Sequence, residues 1–486
     1  MPNVNHAKKE GAVENKRRVY TLENLTPETK AVCFAKCSRA PEPFDQIAKE
    51  LTEEKSAEFH EKWVVGYGHG SVAEHAVPSL AIENISILAT KVLEDNRLAS
   101  YTEKSTRYQI FNKNTYLKPT KIMLSKYRED YEKTCDFLFE TYEKLNTPML
   151  TFIEKKYPKS EKMSDKLYQS VNKARACDNI RYLLPTSTLT NMGMTLNARA
   201  LEWAITKLVS HPLEEMQDLG YDLKKAGLEA VPTLIKYAEK NEYLENTNKS
   251  LRDLTKWMLD DVEPKNTQPV TIVDYDKDAE NKLVATLLYK DSTLPYYQIK
   301  QKVDKMPQTI KEVVIDDALK RRDKHDQTIR ELEHVYYTFD ILMDYGAFRD
   351  IQRHRMATQT NQFVTIAHGY ETPEEIIEAG LEGEYRTAME RAKETYTKIA
   401  EELPFEAQYV VPLAFRKRTL FTWNLRELHH FISLRSGKKG HISYRRIAQQ
   451  CFRELEKIQP LLAKYIRVDL GDETLSTIGT KEKQQL

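Results

Sequence analysis

Residues 353–360 (Arg-His-Arg-Met-Ala-Thr-Gln-Thr) have a weaker counterpart earlier in the chain, residues 95–102 (Asp-Asn-Arg-Leu-Ala-Ser-Tyr-Thr). A second pair of similar segments precedes them at almost the same distance, residues 74–82 (Glu-His-Ala-Val-Pro-Ser-Leu-Ala-Ile) and residues 333–341 (Glu-His-Val-Tyr-Tyr-Thr-Phe-Asp-Ile). Segments that recur in one order indicate a repeated structural unit. The chain is therefore predicted to contain two copies of one fold.

Two further pairs of segments extend the repeat towards the end of each copy. Residues 182–185 (Tyr-Leu-Leu-Pro) match residues 409–412 (Tyr-Val-Val-Pro), and residues 197–201 (Asn-Ala-Arg-Ala-Leu) match residues 424–428 (Asn-Leu-Arg-Glu-Leu). The proline and the asparagine are twelve residues apart in both copies. Single matches of this kind arise by chance, but a whole ordered set does not. The first copy carries about thirty extra residues between its second and third segments.

The length and composition of the chain agree with two globular units. At 486 residues the chain exceeds one ordinary core, and its 40% apolar content is enough to build more than one. Residues 260–268 (Asp-Asp-Val-Glu-Pro-Lys-Asn-Thr-Gln) are typical of a linker, and a strand pattern begins at Val270. A shorter strand pattern begins at Val19. We therefore predict domains over residues 17–260 and 269–470.

Charge and cysteine content exclude several classes of protein. The 74 basic and 73 acidic residues nearly cancel, so no global field attracts nucleic acid. No apolar run approaches the roughly 18 residues of a membrane-spanning helix, and no basic-then-apolar leader begins the chain. Cys33-x-x-x-Cys37 could form a redox or metal pair, but neither it nor His429-His430 has partners at ligand spacing. We predict a cytoplasmic protein with structural thiols, no metal site, and no nucleic-acid or membrane partner.

Several segments resemble the signature of the flavin-dependent thymidylate synthases. Residues 68–75 (Gly-His-Gly-Ser-Val-Ala-Glu-His) are similar to the family segment Gly-His-x-Ser/Thr-x-x-Glu-His. Residues 353–358 resemble the Arg-His-Arg-x-x-Ser core of that signature, and residues 100–108 resemble its continuation, Ser-x-Asn-Glu-x-Ser-x-Arg-Tyr. The similarity covers roughly residues 19–240 and 270–468.

The resemblance implies both a reaction and a fold. Family members reductively methylate dUMP to dTMP, with FAD reduced by NADPH and the carbon supplied by methylenetetrahydrofolate. The implied fold is of the mixed α/β class, with a curved sheet flanked by helices in each half. Because the family assembles as a homotetramer, a fused pair of copies is expected to form a homodimer. The chain has no Gly-x-Gly-x-x-Gly segment, which argues against a Rossmann site.

The first copy departs from the family signature at its Arg-His-Arg segment. It has Asp95 and Asn96 where the family has arginine and histidine, and an acid at that place would repel a phosphate. The first copy nevertheless retains the later residues of the signature. These are Glu103, Ser105, Arg107 and Arg181.

The second copy departs in the opposite way. It retains the Arg-His-Arg segment at 353–355, but its continuation lacks the serine and the arginine, and Gln408 occupies the position of Arg181. Arg435 lies eleven residues after an asparagine, where the family has the arginine thought to promote ionisation of uracil N3. The first copy has Leu208 at that position.

In this family the nucleotide site is shared between subunits, so the complementary losses imply one composite site built from both halves. The implied substrate residues are Glu103, Ser105, Arg107, Arg181, Arg353 and Arg435, and Arg435 would also activate the pyrimidine. The implied flavin residues are His75, Glu103, Arg353, His354, Arg355, Asn424 and Arg426. Arg353 and Arg355 are expected to share one face of an extended segment, from which both could reach flavin oxygens.

Structural interpretations of these residues stay open at this point. His75 and His334 could be hydrogen-bonded core histidines, and Arg435 could cap a helix, because basic side chains stabilise the C-terminal end. The chain could also be a flavin enzyme with another substrate, or a flavin- or nucleotide-binding protein without catalysis. Random decay would remove residues from both sets, whereas these losses are complementary. The sequence therefore favours a working enzyme.

Overall fold

The computed structural model describes residues 17–161 and 163–471, and in this part of the chain each half builds one antiparallel sheet. The first sheet has the order β1-β3-β2, with β1 (Ser79–Ser86), β2 (Ala99–Glu103) and β3 (Leu189–Leu196). The second has the order β4-β5-β7-β6, with β4 (Val270–Tyr275), β5 (Tyr336–Asp344), β6 (Ala357–Asn361) and β7 (Arg416–Asn424). The predicted mixed α/β fold is confirmed.

The two sheets repeat the same register. Strands β1, β3 and β2 correspond to β5, β7 and β6, and the central strand carries equivalent cross-strand pairs. Ser79 lies opposite Thr195, and Thr338 lies opposite Thr422. The hydroxyls of each pair are hydrogen bonded, at 2.8 Å and 2.9 Å respectively. The first sheet differs by a bulge in β1, where Asn84 adopts the left-handed conformation with φ of 57°.

Helices pack against both sheets. Those of the first half are α1 (Pro27–Lys36), α2 (Phe44–Glu50), α3 (Glu53–Phe59), α4 (Ile87–Leu93), α5 (Thr120–Met123), α6 (Arg128–Lys156), α7 (Asp165–Ile180), α8 (Ala198–Val209), α9 (Glu214–Ala230) and α10 (Glu242–Leu259). Those of the second half are α11 (Ala279–Tyr289), α12 (Tyr296–Asp304), α13 (Gln308–Leu319), α14 (Tyr345–Ile351), α15 (Glu374–Glu378), α16 (Glu382–Ala400), α17 (Leu425–Arg435), α18 (Ile442–Ile458) and α19 (Pro460–Ala463). Short turns of π or 3-10 helix lie at His60–Gly66, Val72–His75, Arg181–Leu183, Arg330–His334 and Glu406–Val410.

Polar residues at the strand ends determine where the repeated helices begin. Ser86 caps α4 and Asp344 caps α14, each accepting a hydrogen bond from a backbone N–H in the first turn. Asn197 and Asn424 cap α8 and α17 in the same way. Such caps satisfy N–H groups that have no partner within the helix. They position α14 and α17, and of the retained arginines Arg353 follows the end of α14 and Arg435 ends α17.

The third repeated segments of the two halves pair with each other. Thr186 N donates to Val411 O at 2.9 Å, and Leu413 N donates to Leu184 O at 2.9 Å, as expected around a local twofold axis. Helices α6 and α16 also pack together, and the main hydrophobic core contains residues of both halves. The loop between α10 and β4 lies at the proposed domain boundary. The domain limits at 17–260 and 269–470 stay a prediction.

The strand expected from Val19 does not form. Residues 17–23 have no regular structure, and Val19 is 90% exposed. The segment therefore buries too little side-chain area to hold a strand at the sheet edge. The expectation of a first strand there was wrong.

Candidate active site

A cluster of arginines and acids lies where α14 and α17 of the second half meet the end of α7 of the first. Asp350, in the last turn of α14, is at its centre. The Asp350 carboxylate accepts a hydrogen bond from Arg353 Nη2 at 2.5 Å and lies 3.6 Å from Arg435 Nη1. Its backbone oxygen accepts from Arg435 Nη2 at 2.6 Å. Burial would raise the pKa of this carboxyl, but the charges of Arg353, Arg181 and Arg435 hold it below its usual range.

The first half contributes a second ion pair to the same junction. Arg107 donates to both carboxylate oxygens of Asp178, from Nε at 2.7 Å and from Nη2 at 2.9 Å. The Ser105 hydroxyl accepts from the backbone N–H of Arg107 at 3.2 Å. His441, the N-cap of α18, places its Nε2 at 3.4 Å from the backbone oxygen of Asp178. The two-pronged pair fixes the plane of the Arg107 guanidinium where the halves meet.

Arg181 is the least satisfied cation of the cluster. It is 3% exposed, and its Nε and Nη2 atoms have no hydrogen-bond partner among the described residues. The buried Nε of Arg353 has no partner there either. A buried charged donor left unpaired costs roughly 1–3 kcal/mol or more. These N–H groups are therefore suited to complete their hydrogen bonds with an anion such as a phosphate.

Both carboxylate oxygens of Glu103 accept hydrogen bonds from cationic side chains of the protein. One oxygen accepts from Arg349 Nη2 at 2.5 Å, and the other accepts from Lys91 Nζ at 3.0 Å. Burial would raise the pKa of Glu103, but Arg349 and Lys91 lower it to about 2. Because Arg349 belongs to the second half, this buried ion pair ties β2 to α14. Direct contacts of Glu103 with substrate and flavin stay predictions.

His354 lies between an acid and the late arginine. Its Nδ1 is 2.9 Å from Glu427 Oε1, and its Nε2 accepts a hydrogen bond from Arg435 Nε at 2.9 Å. Arginine can only donate, so Nε2 must carry the lone pair and Nδ1 the proton. Burial, reinforced by the charge of Arg435, lowers the pKa of His354 well below its usual value. The imidazole is therefore neutral, and both its nitrogens are engaged.

The Arg-His-Arg segment is not extended, contrary to expectation. Arg353 lies in the turn that follows α14 and points to Asp350. Arg355 is exposed, and its Nη1 donates to the backbone oxygen of Arg97 at 3.1 Å. The predicted shared face of Arg353 and Arg355 is wrong, because α14 continues to Ile351 and Arg353 lies in the turn that follows it.

The Asn-x-Arg-x-Leu segment has a structural role in both halves. Arg426 donates to Glu333 at 2.7 Å, and Arg199 donates to Glu74 at 2.6 Å. Arg426 also donates to the backbone oxygen of Thr328 at 3.0 Å. With the asparagines acting as helix caps, this motif joins each repeated helix to the Glu-His segment of its own half. Flavin contacts of Asn424 and Arg426 stay predictions.

The histidines of the Glu-His segments lie at the surface. His75 and His334 are both exposed, so the alternative of buried core histidines is wrong. The ring of His75 packs 5.0 Å from that of Phe34. Both histidines end 3-10 turns that precede a strand, which places them outside the core. His75 is therefore accessible to a ligand, and its flavin role stays a prediction.

One histidine of the His429-His430 pair has neighbours that the sequence did not indicate. Ligand atoms of His354, Glu427 and His430 lie within 4.8 Å of one another in the part of the chain that the structure describes. A metal ligand needs a free lone pair on its nitrogen, but the bond from Arg435 leaves the proton on His354 Nδ1. The expectation that no acidic partner lies nearby was wrong, although the hydrogen bonds account for the group without an ion.

Comparison of the halves identifies site residues that the motifs did not. Asp178, Asp350 and His441 contact or neighbour the arginines, and none belongs to the family segments considered above. Aligning the repeats by sequence puts Phe405, Val92 and Glu214 at the positions of Asp178, Asp350 and His441 in the other copy. The acids and the histidine are thus lost together with the arginines. That joint replacement is a signal the sequence already contained.

The family described as "Thymidylate synthase complementing protein" matches residues 21–233 of the chain and, a second time, residues 271–461. The chain belongs to this family. A UPF0159 protein of Chlamydia pneumoniae is 34% identical over 502 residues, which cover 96% of this chain and 94% of that protein. A flavin-dependent thymidylate synthase of Clostridium tetani is 27% identical over 215 residues, 41% of this chain and 81% of that protein. The predicted family and its repetition along the chain are confirmed.

Among solved structures, the flavin-dependent thymidylate synthase of Helicobacter pylori, complexed with FAD and dUMP, gives a TM-score of 0.30. It is 17% identical and covers 41% of this chain and 100% of its own. Within residues 17–161 and 163–471, no helix is both long and apolar enough to cross a membrane.

Proposed function

We propose that this chain is a flavin-dependent thymidylate synthase that converts dUMP to dTMP at one composite site shared by its two halves. The observation that carries the proposal is the buried Arg181 of the first half, which has unpaired N–H groups and acts on the charge of Asp350 together with Arg353 and Arg435 of the second half. Cationic side chains outnumber acids at this junction, as a nucleotide monophosphate requires. Membership of the family supports the reaction class.

In this proposal the substrate phosphate completes the hydrogen bonds of Arg181, and Arg107 lies beside it. Asp178 holds the Arg107 guanidinium in a fixed plane before the ligand arrives, so little side-chain entropy is lost on binding. Arg435 would face the pyrimidine and stabilise negative charge at N3. A guanidinium stays protonated throughout and therefore acts as an electrostatic donor rather than as an acid.

The flavin would contact this site mainly through arginines. Arg353 has an unpaired Nε, and Arg355 is exposed, so both can donate to an anionic dinucleotide. His354, Asn424 and Arg426 also have protein partners, so in this proposal they hold the surrounding structure in addition to their predicted contacts with the flavin. When bound, FAD would carry reducing equivalents from NADPH, and methylenetetrahydrofolate would supply the carbon.

A homodimer would complete the proposed flavin site. Arg355 and His75 are exposed within one chain, whereas cofactor sites enclose most of the ligand surface. Helix α10 has no buried residue, and Tyr243 and Trp257 on it are 72% and 76% exposed. Light scattering of the flavin-loaded protein should give about twice the chain mass of 56.7 kDa. A monomer that binds flavin fully would contradict the proposed assembly.

Turnover tests the reaction directly. The purified chain, loaded with FAD, should form dTMP from dUMP when NADPH and methylenetetrahydrofolate are added, as followed by chromatography and mass spectrometry. Omission of any one component should abolish the product. Saturable dUMP binding without dTMP would instead identify a nucleotide-binding protein of the same fold. Turnover of a different pyrimidine nucleotide would identify an altered substrate.

A further inference from the structure

The carboxyl group of Glu427 is buried beside the site and has no part in the proposed chemistry. The residue is 8% exposed and lies in the first turn of α17, with its side chain against His354 rather than in solvent. Its neighbour Arg426 turns away to Glu333. Burial of a carboxyl is costly unless a specific partner compensates for it, and the partner here is the Nδ1–H of His354.

The hydrogen bond between Glu427 and His354 affects Arg435 through the imidazole ring of His354. A carboxylate at Nδ1 selects the tautomer whose Nε2 is an acceptor, and Arg435 Nε donates to that atom at 2.9 Å. The second anchor of Arg435 is the backbone oxygen of Asp350, at 2.6 Å. With the proton on Nε2 instead, His354 and Arg435 would present two donors to each other. The guanidinium would then lose one of these two hydrogen bonds.

The first half provides an internal comparison. By the repeat, the residues at the positions of Glu427, His354 and Arg435 are Ala200, Asn96 and Leu208. The first copy therefore lacks the glutamate and the histidine as well as the arginine. The neighbouring helix cap and arginine remain in both copies. Glu427 and His354 are thus retained with Arg435 and not with the scaffold of the helix.

We infer that Glu427 is a positioning residue, which fixes His354 with its proton on Nδ1 so that His354 Nε2 holds Arg435 towards the nucleotide. The arrangement follows the general rule that an acid behind a histidine sets its tautomer and orientation. The inference rests on the proposed function only in placing the nucleotide beside Arg435. The tautomer and its dependence on Glu427 are properties of the ligand-free chain.

The first test is therefore independent of catalysis. Nitrogen-15 NMR of the full chain with labelled histidine should show His354 protonated at Nδ1, and His354→Asn assigns its signals among the 12 histidines. Glu427→Leu should shift His354 towards Nε2 protonation. The matched control is Glu406→Leu, which removes another buried carboxyl with one ion pair, to Lys121 at 2.8 Å. A wild-type His354 protonated at Nε2, or an unchanged tautomer in Glu427→Leu, would overturn the inference.

The second test uses turnover and a double mutant. Glu427→Leu should lower kcat roughly tenfold or more while changing KM for dUMP much less, because Arg435 acts on charge in the reacting ring. In an Arg435→Ala background the same change should have almost no further effect. Independent effects of the two changes would overturn the inference even if the tautomer shifts.

Absence of all turnover in the wild type would refute the proposed function and leave the NMR result to decide the tautomer. A stoichiometric zinc complex lost in His430→Ala would also overturn the inference, because it would assign the group to a metal.

Discussion

Arg181 and Gln408 occupy equivalent positions in the two halves, and both are buried, but only one of them is satisfied. Gln408 accepts from Val364 N at 3.1 Å and donates to Phe405 O at 3.0 Å. Arg181 keeps buried N–H groups without partners among the described residues. A protein retains such a costly group only where something else compensates for it, and a bound anion would do so. The difference supports the proposal that one of the two equivalent places binds the nucleotide, whereas the other is packed as ordinary core.

The scaffold around these places has changed far less. Both helix-capping asparagines remain, and so do the ion pairs of Arg199 with Glu74 and of Arg426 with Glu333. Substitution has therefore removed the arginines of the proposed site from one place while leaving the contacts that hold the repeat together. Random substitution in a domain without function would alter the scaffold contacts as well as the arginines.

The largest expected effect is at Arg181 itself. Arg181→Leu should weaken dUMP binding by roughly a hundredfold or more, because it removes at least two charge-assisted hydrogen bonds to the phosphate. Gln408→Leu, the same change at the equivalent position, should leave dUMP affinity almost unchanged. Isothermal titration of both flavin-loaded variants measures the contrast. Similar losses in the two variants would mean that both places bind nucleotide.

The next effect tests whether residues from the two halves serve one ligand. Arg107→Ala and Arg435→Ala should each lower kcat/KM for dUMP by roughly tenfold or more. The double variant should lose less than the product of the two factors, because residues that act on one bound ligand are coupled. Steady-state kinetics of the four proteins gives the coupling. Strictly multiplicative losses would separate the two arginines into different places.

A smaller contrast is expected for the flavin. Arg353→Ala should weaken FAD binding by roughly ten- to a hundredfold, since a charge-assisted contact is lost. Arg97, which belongs to the altered segment of the first copy, donates to Thr358 at 3.1 Å and should matter far less. Fluorescence titration of the apoprotein with FAD measures both. Equal losses would mean that the altered copy has been misidentified.

The smallest expected effect is a dependence of the folding stability on pH through Glu427. This carboxyl faces His354, His430 and Arg426. Burial raises the pKa of this carboxyl to about 7, above the roughly 4.3 of an unfolded chain. The folded state therefore binds the extra proton between these values, and the stability it contributes is lost as the pH rises through about 7. Glu427→Gln has no such proton to lose.

The denaturation midpoint of Glu427→Gln, relative to that of the wild type, should therefore increase between about pH 5 and about pH 8. If the difference between the denaturation midpoints of the two proteins stays constant over this range, Glu427 has an ordinary pKa.

The order of the motifs predicted the repeat, and the family resemblance implied the sheet in each half and the meeting of Arg353 and Arg435. The sequence did not predict that Glu103 is buried between Lys91 and Arg349, since only the fold decides whether a charge finds partners. The extended segment expected at Arg353 does not form, because α14 continues to Ile351 and a turn follows it. Asp178 and Asp350 were missed because they lie outside the family segments, although comparison of the two copies marks both.

The number of nucleotide sites tests the central claim most directly. The flavin-loaded chain, titrated with dUMP in a calorimeter, should bind about one dUMP per chain, because only one of the two equivalent places retains Arg107, Arg181, Arg353 and Arg435. Two equivalent sites per chain would show that the altered copy still binds nucleotide and would contradict the account.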